Sequence, residues 1–68
     1  MNKDILKGNW KQFRGEIQKQ WGKLTNDDMD VINGEYDKLV GRLQERYGWK
    51  REEAERQLTD YFDRVPSN

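Results

Sequence analysis

Neither cysteine nor histidine occurs in this sequence, and proline occurs once. The first absence excludes disulfides, thiolate metal sites and cysteine nucleophiles, and it leaves the redox compartment undetermined. The second removes the side chain most used as a general base and as a metal ligand. Long apolar runs are missing too: the start runs into nothing longer than Ile5-Leu6. Neither a secretory signal nor a membrane-spanning helix is therefore expected, and a cytoplasmic location follows by default. An excess of one charge is also lacking, with 13 acidic and 13 basic residues. No global field draws the chain to nucleic acid or to an anionic membrane, so any such binding needs a local patch.

What is present is short and polar. A chain of 68 residues has room for one domain and one small core, and such cores supply about 3 to 5 kcal/mol of net stability. Charged residues make up 38% and apolar ones 32%, close to the composition of disordered chains. Eight aromatics, three of them tryptophan, argue instead that a core is buried.

Shifting the chain by 26 residues aligns Gly8 to Gly22 with Gly34 to Gly48. Gly8, Gly15, Gln18 and Gly22 fall on Gly34, Gly41, Gln44 and Gly48, while Trp10, Phe13, Ile17 and Trp21 fall on Tyr36, Leu39, Leu43 and Tyr47. One supersecondary unit is written twice, in repeats of about 8–33 and 34–59. Within each copy the anchors are spaced 3, 4 and 4, which on a helix gathers them into one stripe facing a core. Gly22 and Gly48 follow the last aromatic, where a left-handed terminus costs glycine least, so both long helices are expected to stop there.

Thr25 followed by Asp28 resembles a capping box and predicts a short second helix, with Asp27, Asp28 and Asp30 in its first turn and Met29 with Ile32 as its apolar edge. Trp49 precedes a fourth helix with Glu52 and Glu53 in its first turn and is placed to staple onto Ala54. Ala54, Leu58, Tyr61, Phe62 and Val65 form the buried face of that helix, and Pro66 ends it. The expectation is an all-α domain over 1–65, with 66–68 as a disordered end. It is a four-helix bundle, long-short-long-medium, of two hairpins related by the repeat and packed about a pseudo-twofold axis. The predicted core is Leu6, Trp10, Phe13, Ile17, Trp21, Leu24, Ile32, Tyr36, Leu39, Leu43, Tyr47, Leu58 and Phe62.

Met1 to Asp4, Gly8-Asn9-Trp10-Lys11-Gln12-Phe13, Gln20 to Thr25 and Val40 to Gly48 resemble the CsbD-like family, especially its enterobacterial YjbJ-like branch. The likeness spans nearly the whole chain and is thinnest from Thr59 onward. It implies a small cytoplasmic bacterial protein of the general stress response, with two hairpins packed roughly orthogonally as in a SAM domain. It implies no biochemical activity and brings no catalytic or binding residues with it.

Gly15 and Gly41 interrupt helix interiors, each at a cost of about 1 kcal/mol relative to alanine. At about 100° per residue, Gly8, Gly15 and Gly22 lie far around the helix from the core stripe, with Gln18 beside them. Gly15 with Gln18, and Gly41 with Gln44, are the candidate surface for a partner protein or a second protomer. The competing reading is inheritance by the repeat, or close packing of another helix of the same fold. Arg42, Arg46, Trp49, Lys50 and Arg51, with Tyr47, form a second, basic and aromatic patch of the sort that contacts phosphates and bases. Against it, the nearby carboxylates and the zero net charge read as a solvated ion-pair surface.

Asp27, Asp28 and Asp30 lack the glycine and the distal glutamate of a calcium loop, so no metal and no cofactor is expected. Dispersed acids with no nucleophile beside a base argue against an enzyme. The expected function is a non-enzymatic stress-response interaction module with an unknown protein partner or self-association and no membrane. The alternative is a hydrophilic protectant acting without a partner, and weak nucleic-acid binding ranks third.

Overall fold

The computed structural model describes residues 3–64. Five helices follow one another: α1 Lys3–Gly8, α2 Trp10–Gln20, α3 Asn26–Ile32, α4 Tyr36–Tyr47 and α5 Arg51–Arg64. The fifth helix is a correction, because the first long helix expected from the sequence is two. Asn9 divides it, with φ −119° and ψ 28°. Its backbone N–H and its side-chain Nδ2 both donate to the Ile5 carbonyl, at 3.0 and 3.1 Å. Its own carbonyl accepts from Gln12 and Phe13. An asparagine side chain that competes for a helix carbonyl ends one helical segment and starts the next.

A second correction concerns the stop after α2. Gln20 is its last residue, and Trp21 leaves the helix at φ −121°, its N–H still bonded to the Ile17 carbonyl. The indole is thereby buried, with its ring centroid 5.1 Å from that of Tyr61. Among the described glycines only Gly34 and Gly48 have positive φ, so Gly22 is not the left-handed terminus. Gly48 is one, at φ 72°, with its N–H bonded to the Gln44 carbonyl. α3 begins at the expected capping box. Thr25 Oγ1 accepts from the Asp28 N–H at 3.1 Å, and Asp28 Oδ2 accepts from the Thr25 N–H at 2.9 Å.

α4 packs against α5, α3 and α1. A helix flanked on several sides buries more than one stripe, and this explains why Val40 of α4, outside the expected stripe, is buried. Val40, Met29, Ala54 and Tyr61 are buried together with Leu6, Trp10, Ile17, Trp21, Leu24, Ile32, Leu39, Leu43 and Leu58. Phe13, Tyr36, Tyr47 and Phe62, expected inside, lie half-buried at its margin. Edge-to-face contacts nevertheless join several of these rings, Phe13 to Phe62 at 5.6 Å and Tyr61 to Phe62 at 5.2 Å between centroids. Contacts of this kind add to the area they bury and tie α2 to α5. The expected stop of the last helix, at Val65 and Pro66, lies outside the described residues.

Candidate functional site

On α2 and α4 the core stripes turn inward, so the helix backs carry Gly15 and Gly41 outward. Both glycines are exposed, and Gln18 and Gln44 beside them are half-buried. A Cβ built on either glycine meets no heavy atom within 4 Å beyond its own helix. Among the described residues, no other helix of the chain packs closely on either glycine. No extensive contact joins α2 to α4 among the described residues, so the two Gly-Gln pairs make two faces rather than one. Gly8 and Gly22 do not extend the α2 face as a continuous line, since one closes α1 and the other lies beyond the end of α2.

The basic and aromatic patch is assembled differently from an anion-binding surface. Arg46 grips Asp28 with both prongs of its guanidinium, Nε to Oδ2 and Nη2 to Oδ1, each at 2.9 Å. Arg42 bonds Glu45 at 3.1 Å and stands 3.7 Å from Asp28. Arg51 bonds Asp37 and Glu55. Lys50 is exposed and belongs to no ion pair among the described residues. Trp49 stacks on Tyr47 with centroids 4.6 Å apart and planes 16° from parallel, while the Lys23 ammonium lies 5.1 Å from the Tyr47 ring centre. Three of the four cations in the patch are thus held by carboxylates, and the Tyr47 ring already has a cation and an indole beside it.

Asp28 is the residue whose role sequence reasoning understated. Read as a helix-start charge, it also ties α3 to α4 through Arg46, and only 2% of it is exposed. The Arg46 hydrogen bond holds its carboxyl down at about 2 from an ordinary 3.8, against burial, which acts the other way, and with help from the Thr25 N–H. The capping box was the only sign of it in the sequence, and nothing there pointed to Arg46 as its partner. Asp30 in turn bonds Arg14 of α2 at 3.0 Å. Among the described residues no group of three or more metal-ligating side chains could hold an ion, and the aspartates of α3 serve helix and ion-pair contacts. No described helix is long and apolar enough to cross a membrane.

The model of the CsbD-like family matches residues 4–56 of this chain. The chain belongs to the CsbD-like family. This is a general stress-response family with no known catalytic activity. Among curated proteins the chain is 55% identical over 64 residues to the UPF0337 protein YjbJ of Escherichia coli K12, covering 94% of this chain and 93% of that one. It is 57% identical over 63 residues to the UPF0337 protein ECA0631 of Pectobacterium atrosepticum, covering 93% and 91%. With the UPF0337 protein PA4738 of Pseudomonas aeruginosa the identity is 51% over 65 residues, covering 96% and 100%. For this CsbD-like chain the comparisons thus extend along all five helices.

Proposed function

We propose that the chain is a non-enzymatic interaction module of the cytoplasmic stress response, presenting the backs of α2 and α4 to a protein partner. The observation that carries this reading is the empty space over Gly15 and Gly41. A helix-interior glycine weakens its helix by about 1 kcal/mol relative to alanine, and among the described residues nothing lies where a side chain at either glycine would stand. A bare backbone on an exposed helix lets another chain approach more closely than any side chain would permit. Gln18 and Gln44 flank each approach with an amide that both donates and accepts. The same reading takes the fold as two related hairpins, 8–33 and 34–59, set roughly orthogonally as in a SAM domain. Burial of both Ile32 and Leu58, equivalent under the 26-residue shift, supports that relation.

Cross-linking in stressed cells, with the captured molecules identified, tests the proposal when the native chain is compared with a Gly15→Ala/Gly41→Ala variant. A specific partner lost in the variant is the expected result. The alternative, a protectant that works by abundance, draws on the mean hydropathy of −1.34. A protectant would survive these substitutions and changes at Gln18 or Gln44 without loss of function, and that outcome would select it.

A further inference from the structure

Charge is unevenly divided along this neutral chain. Residues 1–26 hold 6 basic and 2 acidic side chains, a net +4, and residues 27–68 hold 7 basic and 11 acidic ones, a net −4. The division reaches the two glycine-centred faces. On α2, Lys11 and Lys19 stand four residues before and after Gly15; on α4, Asp37 and Glu45 stand four residues before and after Gly41. At about 100° per residue these charges lie within roughly 40° of their glycine, about 12 Å apart along the helix. The 26-residue repeat therefore places one face twice, with its two charges reversed in sign.

All six residues are exposed. Neither Lys11 nor Lys19 has an ion-pair partner among the described residues, and the next side chain around α2 that carries a negative charge, Glu16, is about 100° from Gly15. Asp37 is bonded through one oxygen to Arg51, and Glu45 through one oxygen to Arg42. Their side chains remain 74% and 60% exposed, with room to take a second cation. Because the spacing is the same on both helices and symmetric about each glycine, two lysine-carboxylate pairs form whether the helices meet parallel or antiparallel.

We infer that the chain self-associates, the α2 face of one copy seating on the α4 face of a second, Gly15 against Gly41 and Lys11 and Lys19 against Asp37 and Glu45. This inference rests on the interaction-module reading and names its partner. The glycines let the backbones approach, and the opposed charges select the mate and reject like faces, α2 on α2 or α4 on α4. The contact joins unlike surfaces, so it propagates head to tail unless geometry closes it.

Sedimentation equilibrium at low salt tests this on five samples. The native chain is expected to rise above its monomer mass of 8.3 kDa with concentration, and to return toward it in about 0.5 M salt. Lys11→Glu/Lys19→Glu and Asp37→Lys/Glu45→Lys each reverse one face, and each is expected to weaken association roughly tenfold or more. An equimolar mixture of the two variants regains association, because each then offers the other a complementary face. Lys11→Gln/Lys19→Gln, read alongside helical circular dichroism, separates loss of contact from loss of fold and is expected to associate less while staying folded. A native chain that stays monomeric throughout, or charge-reversed variants that associate as the native does, would overturn the inference. If in-cell cross-linking nevertheless captures a different, glycine-dependent protein, the interaction-module reading survives and self-pairing alone fails.

Discussion

Asp28 makes four hydrogen bonds at once: its N–H donates to Thr25 Oγ1, and its carboxylate accepts from the Thr25 N–H and twice from Arg46. Removing its carboxylate leaves the Arg46 guanidinium without its partner and the Thr25 N–H without its acceptor, while the Thr25 cap on the backbone N–H of residue 28 remains. Asp28→Ala should therefore cost about 2 kcal/mol, measured as a shift in urea denaturation. The same residue sets an acid limit. Its folded value near 2 is below the ordinary 3.8, so its contribution is fully present above the ordinary value and fades as pH falls between the two. Asp28→Asn should flatten that part of the acid titration, and an unchanged acid profile would show that the ion pair contributes nothing. At the other extreme is Gly15, where a methyl group meets open space. Gly15→Ala should raise stability by about 1 kcal/mol in dilute monomer.

At the scale of elements, one glycine is sterically required. Gly34 is buried at φ 83°, and a Cβ there would lie 2.9 Å from the Lys7 Cα and 3.3 Å from the Trp10 Cβ. The turn from α3 to α4 thus rests directly on the α1–α2 junction. Gly48 has similar φ but open surroundings, so Gly48→Ala should cost only the left-handed strain, about 1 kcal/mol. Gly34→Ala adds a backbone clash, and thermal melts should place it clearly below Gly48→Ala. Equal melting temperatures would mean that the α1–α2 junction yields without cost. The repeat made Gly34 the mate of Gly8, yet Gly8 is exposed and a Cβ there would meet no heavy atom within 4 Å among the described residues. Two positions alike in sequence differ because different elements pass over them. The division at Asn9 was legible in principle, since a Gly-Asn pair is a breaker signal, but the apolar spacing from Leu6 to Trp10 to Phe13 runs on across it.

Over the whole molecule, the missing histidine shapes the response to pH. Asp28, Glu35 and Glu53 are held below their ordinary values, first by hydrogen bonds from Arg46, Lys38 and Gln57. Their stabilisation is present above the carboxylate range and lost in acid. Burial pushes the Tyr36 and Tyr61 phenols above 10, so their contribution is present below the phenol range and lost as pH rises through it. With no side chain of unperturbed neutral titration between those ranges, stability should be flat from about pH 5 to 9. A slope in the melting temperature across that interval would contradict this. The small core makes unfolding a single event. Trp10→Ala or Trp21→Ala should cost about 3 to 5 kcal/mol, enough to unfold most molecules at 25 °C, as loss of helical circular dichroism would report.

Periodicity and local chemistry sufficed for what is local: helices with apolar stripes, the capping box at Thr25, the left-handed stop at Gly48, and two glycine-bearing helix backs. These follow from neighbours three or four residues away, and a chain carries such neighbours with it in any fold. Which rings are covered, why Arg46 holds Asp28 from 18 residues away, and why Gly34 alone among the described glycines is pressed by another helix were decided by tertiary packing. So was the emptiness over Gly15 and Gly41, because whether a surface is filled depends on what the rest of the chain lays against it, and spacing along one helix carries no record of that.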